Sequence, residues 1–187
     1  MKKSASRKIT DTYLHNSGLY YLQRFSTSTE NFRRVMTQKI SRSCRAYEDQ
    51  DINECLQMLD ELIIKFQRSG LLDDRNYTGS AVRSLRNKGE SSRSILRKMQ
   101  TKGIPADMAA EALQQHDADH ALNGDLAAAA RYIQRRRLGA FSSKNKEDRK
   151  NKELSSLARA GYGYEIAQKV LQMSKDEIDE LLTADSG

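Results

Sequence analysis

The chain has 187 residues and a formal net charge of +7, with 30% charged and 37% hydrophobic residues. One proline, no tryptophan and no alternating strand pattern favour an all-helical protein. No segment approaches the roughly 18 apolar residues that span a bilayer, and the basic N-terminus lacks the apolar stretch of a signal peptide. Cys44 and Cys55 form neither a CxxC motif nor a disulfide framework, so we expect a cytoplasmic protein without membrane contact.

Capping residues and a helix-terminating glycine predict three helices in the first third of the chain. The first covers about residues 9–25, and a capping box of Thr27 and Glu30 begins the second. Asp51 with Glu54 repeats this signature before the most amphipathic helix, which Gly70 ends. The apolar residues of that helix recur at helical spacing and predict one buried face: Ile52, Leu56, Leu59, Ile63 and Phe66.

Further helices are predicted over residues 74–88, 91–102, 105–115, 125–138, 147–160 and 163–172. Pro105 fits the first position of its helix, where the missing N–H costs nothing, and Gly139 closes the helix over 125–138. A capping box of Ser174 and Glu177 begins a last short helix, which runs into an acidic tail.

An internal repeat relates the helices to one another. The segment from Ile95 to Leu113 matches the segment from Glu153 to Leu171 at an offset of 58 residues, which aligns Gly103 with Gly161. A fainter copy lies 63 residues earlier, and the apolar stripe shared by the three copies is Phe32/Met36, Ile95/Met99 and Leu154/Leu157. We predict that both glycines end a helix with positive φ. A repeat of about 60 residues is typical of stacked helical modules rather than of one globule around a catalytic pocket.

The repeat therefore predicts an all-α, elongated array of three tandem three-helix modules with a short C-terminal helix. The predicted boundaries are 1–69 for the first module with its basic N-terminal tail and 70–116 for the second. Residues 117–173 form the third module with a basic insertion, and 174–187 the short helix and acidic tail.

The basic insertion concentrates the charge of the chain. Tyr21-Leu22-Gln23-Arg24 reappears as Tyr132-Ile133-Gln134-Arg135 at an offset of 111, whereas the following helices of these modules are offset by 121. The ten extra residues lie between Arg135 and Glu153, and the stretch carries eight basic and two acidic residues. The basic residues are Arg135, Arg136, Arg137, Lys144, Lys146, Arg149, Lys150 and Lys152. They could form a solvated helix end, where the helix dipole stabilises cations. The alternative is a contact for a polyanion, and the inserted length and the local charge favour this second interpretation.

Catalytic and metal sites are not expected. His116 and His120 stand four residues apart in HDADH, but aspartate replaces the glutamate of a HExxH metalloprotease and no third ligand can be named. The only near match to a glycine-rich phosphate loop is Gly161-Tyr162-Gly163, a helix-to-helix turn. No nucleophile has an assignable base, and we expect no cofactor. The aromatic residues are interpreted as core anchors rather than base-stacking platforms.

Four segments together form a recognisable pattern: GLLDDRNY at 70–77, KGI at 102–104, LGAF at 138–141 and LARAGYGYEIAQKVL at 157–171. In combination they resemble the RecX family, whose members regulate the RecA recombinase. YLQRFSTS at 21–28 is similar to the family's first-module helix, and the resemblance runs from about Tyr13 to Leu171 in the family's order. The family usually has alanine where this chain has Thr78, a packing variation on a helix.

The resemblance implies a non-enzymatic protein that lies along the groove of the RecA–DNA filament. It also implies restraint of ATP hydrolysis, strand exchange and co-protease activity, in the setting of DNA repair, recombination and the SOS response. We expect a monomer whose partners are the RecA filament and single- or double-stranded DNA. The alternative is a stand-alone helical DNA-binding protein. The modules lack a consistent basic recognition face and the tail is acidic, and both observations argue against this alternative.

Overall fold

The computed structural model describes residues 7–119, 124–142 and 146–184; for 146–149 and 184 only the backbone is described. These residues form ten α-helices and one short 3-10 helix, Gly139–Phe141, and no strand. The α-helices are α1 Asp11–Leu22, α2 Thr29–Ala46, α3 Ile52–Arg68, α4 Asp74–Asn87, α5 Ser92–Thr101, α6 Ala106–Asp119, α7 Gly124–Arg136, α8 Lys146–Arg159, α9 Tyr164–Gln172 and α10 Lys175–Ala184. The all-α prediction is confirmed. None of the helices in the described ranges is long and apolar enough to cross a membrane.

The described residues divide into two compact units. Unit 1 runs up to Tyr77 and includes Lys102–Ile104, and unit 2 contains the remainder from Thr78 onward. The core of unit 1 is built from α1, α2 and α3, around Phe32 and Phe66, whose ring centroids are 5.8 Å apart. The core of unit 2 gathers α7, α8, α9 and α10 around Ile133, Leu157 and Ile178.

The predicted apolar stripe of α3 is buried at Leu59, Ile63 and Phe66, whereas Leu56 is only partly buried. Leu59 is 0% and Ile63 3% exposed, so the prediction that both are core residues is confirmed. Ile52 is instead 42% exposed, which the prediction had wrong. It lies in the first turn of α3, beside the connection from α2, and Cys55 is the first residue of this face to reach the core.

Three predicted helix ends are displaced. Ser28, not Thr27, caps α2, because its Oγ accepts the Asn31 N–H, while Thr27 Oγ1 accepts a hydrogen bond from the Asn31 side-chain amide. Pro105 precedes α6 as its N-cap, since its carbonyl accepts the first helical bond, from Ala109 N. Gly139 begins the 3-10 helix instead of closing α7.

Other predicted caps are confirmed. Asp51 caps α3 by accepting the Asn53 N–H. Ser174 and Glu177 form a reciprocal capping box before α10, and the backbone and hydroxyl of Ser174 lower the pKa of Glu177.

The repeated helix-to-helix turn has the predicted geometry. Gly103 has a φ of 74° and Gly161 a φ of 95°, and the residues that follow, Ile104 and Tyr162, are both buried. At the second copy, Gly161 N–H bonds Ala158 O and Tyr162 N–H bonds the Leu157 carbonyl, a pairing that needs a left-handed residue at the glycine. The positive φ predicted from the repeat is therefore confirmed at both positions.

The apolar stripe of the third copy is shifted by one residue from the prediction. Phe32, Met36, Ile95, Met99 and Leu157 are buried, but Leu154 is only partly buried. Glu153, at the offset of 58 from Ile95, takes the buried position and accepts a hydrogen bond from Gly139 N at 3.2 Å. A carboxylate there satisfies a backbone donor that an apolar side chain would leave unpaired.

Candidate polyanion-binding surface

The middle of α7 packs against the turn between α4 and α5. Gly89, in that turn, has a φ of 68°, and a β-carbon on it would lie 2.8 Å from both Ala128 O and Tyr132 N. The Tyr162 hydroxyl donates to the Gly89 carbonyl at 2.9 Å, and Ser91 Oγ donates to Ala160 O at 2.7 Å. Burial raises the pKa of the Tyr162 phenol, which keeps it the donor of this bond. The backbone of α7 is therefore closely packed against this turn.

A buried arginine joins three helices of unit 2. The Arg86 side chain on α4 is 2% exposed and bonds Asp117 on α6 through Nε, at 3.0 Å, and through a terminal nitrogen, at 2.5 Å. Its other terminal nitrogen lies 2.7 Å from Asp125 Oδ1 in the first turn of α7. Burial alone would lower the pKa of Arg86, but the bonds to Asp117 and Asp125 raise it. The cluster binds the first turn of α7, and the Gly89 contact packs against its middle.

Three exposed arginines follow on this anchored helix. Arg135, Arg136 and Arg137 are all exposed, and none is within ion-pair distance of a carboxylate in the described part of the chain. The guanidinium carbons of Arg135 and Arg136 lie 6.0 and 5.8 Å from the centroid of the Tyr132 ring, whose hydroxyl contacts Ser156 Oγ at 3.1 Å. The buried ring therefore lies within cation–π distance of two guanidinium groups, which keep their charge.

Arg137 has an unusual backbone conformation. Its φ is 55°, and it is the one non-glycine residue with positive φ in the described ranges. Arg137 N–H bonds Gln134 O and Leu138 N–H bonds Ile133 O, so Arg137 ends α7 at the position where glycine is preferred. This backbone conformation costs an L-residue about 1–2 kcal/mol of folding free energy, and an arginine nevertheless occupies the position.

The contact between Gly139 and Glu153 joins the segment after Arg137 to α8. Lys150 and Lys152, on α8, are exposed as well. Lys144 lies outside the described residues, as do the side chains of Lys146 and Arg149. The structure leaves Arg135–Arg137, Lys150 and Lys152 exposed, and the bond from Gly139 to Glu153 links their two segments; that they form one contact surface stays a prediction.

Two further cations lie near this surface, and the sequence analysis missed the first of them. Arg131 lies one helical turn before Arg135 and its β-carbon borders Gly89; the spacing of four residues on a helix was the signal. Lys98 on α5 bonds Glu90 at 2.6 Å. Partial burial would raise the pKa of Glu90, but hydrogen bonds from Lys98 and Ser94 and the charge of Arg135 lower it. Glu90 therefore stays ionised beside the arginines.

The HDADH segment and the acidic side chains are possible metal ligands by residue type, and the positions of their side chains test this. The described residues contain no group of three His, Cys, Asp or Glu side chains that could hold a metal ion. Of the HDADH pair, His116 lies with Nδ1 3.4 Å from Asp117 Oδ1, beside the Arg86 cluster, and His120 lies outside the described residues. His116 thus borders a structural ion cluster.

Comparison with known proteins identifies the family. Residues 73–113, which span α4, α5 and most of α6, match the family model described as the second three-helix domain of RecX. The regulatory protein RecX of Myxococcus xanthus is 34% identical over 88% of this chain and 87% of its own length. The chain belongs to the RecX family. The regulatory protein RecX of Agrobacterium fabrum is 32% identical over 92% of the chain and 89% of that protein.

Solved RecX structures share the fold. The crystal structure of RecX from Lactobacillus salivarius superposes with a TM-score of 0.59 at 21% identity, over 91% of this chain and 97% of that one. A second crystal structure of regulatory protein RecX gives 0.61 at 17% identity, over 87% of this chain and 72% of its own. At these identities the likeness concerns the fold, and it agrees with the all-helical architecture.

Proposed function

We propose that this protein is a non-enzymatic regulator of the RecA recombinase, which binds the RecA–DNA filament and restrains its ATP hydrolysis, strand exchange and co-protease activity. Membership of the RecX family over nearly the whole chain carries this proposal. The protein acts as a monomer in the cytoplasm, through the three modules whose predicted boundaries are 1–69, 70–116 and 117–173.

The exposed arginines at the end of α7 provide the contact with the filament. Arg135–Arg137 have no carboxylate within ion-pair distance among the described residues, and the helix before them is bound at its first turn and packed at its middle. A cluster of cations on an ordered helix suits the phosphates of a nucleoprotein, because little backbone entropy remains to be lost on binding. Lys150 and Lys152 extend the same surface, and Lys144, Lys146 and Arg149 belong to the predicted set.

The test is the ATPase of a RecA filament on single-stranded DNA, measured against protein concentration at low and moderate salt. We expect the wild-type protein to inhibit, and Arg135→Ala/Arg136→Ala/Arg137→Ala to need a higher concentration with a flatter salt dependence, because fewer counterions are released. A matched control removes three exposed cations from unit 1: Arg42→Ala/Arg45→Ala/Arg68→Ala.

Each component of the proposal can fail separately. If the wild-type protein leaves the ATPase unchanged, the regulatory function is wrong. If both triple variants inhibit like the wild type at both salt concentrations, the arginines form only a solvated helix end. Tight binding to the same DNA without RecA, together with an unchanged RecA ATPase, would favour the alternative of a stand-alone DNA-binding protein.

A further inference from the structure

Three aromatic side chains lie on the surface rather than in a core. Tyr20 is 56%, Phe25 55% and Tyr164 67% exposed, so the interpretation of the aromatic residues as core anchors is wrong for these three. Two of them, Tyr20 and Phe25, belong to one short stretch at the end of α1. Exposing a large ring leaves apolar surface in water, and two rings in the same stretch mark it as a contact surface.

The rings at the end of α1 are held in place by their neighbours. The guanidinium carbon of Arg24 lies 4.2 Å from the Tyr20 ring centroid, a stacking distance. The Phe25 ring lies 5.1 Å from that of Tyr21 with a tilt of 38°, and the Tyr21 hydroxyl accepts a hydrogen bond from the Asn31 amide at 3.3 Å. One side of each exposed ring is thereby supported, and binding a ligand on the other side requires little further ordering.

The local charge favours an anionic ligand. Residues 20–34 contain three arginines and one carboxylate, Glu30. Arg33 is bound to Glu30 and to Asp60, which neutralises it. Arg24 and Arg34 have no carboxylate within ion-pair distance among the described residues. Arg34 bonds Asn31 Oδ1 at 2.5 Å, and the amide of Asn31 donates to the Tyr21 hydroxyl.

The type of exposed side chain separates this surface from the rest of unit 1. The other large exposed hydrophobic residues of the unit are aliphatic, Ile52, Ile64 and Leu71, and belong to α3 and the turn after it. Flat rings backed by a guanidinium plane are suited to flat ligands, and every nucleic-acid base offers a flat face. Aromatic residues and arginine are also enriched at protein interfaces, so the charge of Arg24 and Arg34 is what favours an anionic ligand here.

We propose that Tyr20, Arg24 and Phe25 form a stacking platform for unpaired bases of single-stranded nucleic acid, with Arg34 contacting phosphate. The platform deepens the proposed function and rests on it for its setting, since a recombinase filament is assembled on DNA. It requires no RecA for binding, so it can be examined separately.

The test measures binding without RecA. Fluorescence anisotropy is recorded for a labelled 20-nucleotide oligothymidylate and for an abasic strand of equal length at low salt. We expect the wild-type protein to prefer the strand with bases. Tyr20→Ala/Phe25→Ala should raise the dissociation constant for oligothymidylate at least about five-fold, as a loss of roughly 1 kcal/mol of stacking predicts, and abolish the preference.

Two controls accompany the double variant. Tyr164→Ala removes the most exposed tyrosine of unit 2, outside the platform, and should bind like the wild type. Tyr20→Trp keeps a ring and should retain the preference for bases. Far-UV circular dichroism and the urea midpoint should match in all variants, because both platform rings are more than half exposed.

Several outcomes would overturn the platform. They are equal binding of both strands by the wild type, no measurable binding at low salt, and wild-type affinity in the double variant. Weaker ATPase inhibition by the double variant with unchanged oligothymidylate binding would assign the rings to a protein contact instead. Base-dependent binding without any effect on RecA would support the platform and contradict the proposed function. Inhibition of the RecA ATPase without base-dependent binding would support the proposed function and contradict the platform.

Discussion

The ends of α1 and α7 carry the same four-residue motif in different surroundings. Tyr21-Leu22-Gln23-Arg24 and Tyr132-Ile133-Gln134-Arg135 are 111 residues apart, and in both copies the tyrosine packs against the core of its unit. The positions on either side differ: Tyr20 and Phe25 flank the first copy, and Arg131 and Arg136 the second. One copy presents exposed rings with one arginine, and the other presents a row of cations around a buried ring.

This difference shows which positions the core constrains. The tyrosine and the aliphatic residue after it face the interior and keep their character, whereas the flanking residues reach solvent and can change chemistry without disturbing the helix. The supports differ too: Leu14 is buried at the position equivalent to Asp125, and Gly18 at the position of Ala129. The first copy is anchored by apolar packing and the second by the ion cluster of Arg86.

The largest expected effect comes from breaking the two anchors. Asp125→Ala should lower the free energy of unfolding by about 3–5 kcal/mol, because it leaves a buried guanidinium with part of its partners and removes the acceptor of Ser92 N–H. Leu14→Ala, its counterpart, should cost about 2–5 kcal/mol as a core truncation. Urea unfolding followed by circular dichroism measures both. If Asp125→Ala is as stable as the wild type, the ion cluster does not anchor α7.

A smaller effect is expected one helical turn further along. A β-carbon at Gly18 would lie 2.9 Å from Phe66 Cε2 and 3.1 Å from Phe32 Cζ, so Gly18→Ala should destabilise by about 1–3 kcal/mol through overpacking. Alanine is otherwise the better helix former. At the equivalent position of the second copy, we therefore expect Ala129→Gly to destabilise the protein by only about 0.5–1 kcal/mol. The same unfolding assay compares them, and a stabilised Gly18→Ala protein would mean that the rings move aside.

The smallest effect concerns the residue that ends α7. Arg137→Gly removes the backbone strain of an arginine with positive φ, but it also gives the unfolded chain more conformational freedom. The net result should be a free energy of unfolding higher by about 0.5 kcal/mol, which corresponds to a Tm raised by about 1–2 °C. The same change should weaken ATPase inhibition, though less than the triple arginine variant. Unchanged inhibition with raised Tm would show that the side chain of Arg137 makes no filament contact.

Local patterns predicted much of the fold and part of the candidate surface. Helical spacing identified Leu59 and Ile63 as core, and the repeated glycines gave two turns with the expected positive φ. The charge count located Arg135–Arg137, which the structure leaves exposed. The stripe of α8 was placed one residue off, because a hydrogen bond from Gly139 makes the carboxylate of Glu153, rather than Leu154, the buried group.

The sequence by itself determined the helices, their repeated turns and the positions of the cations, since each depends on residues within a few positions of one another. Tertiary structure decided which polar groups are buried and which rings are not. The Arg86 cluster joins residues 31 and 39 positions apart, so no local spacing announces it. Tyr20 and Tyr132 are both tyrosines on helices, and only the neighbouring helices determine that one ring lies in solvent and the other beneath two arginines.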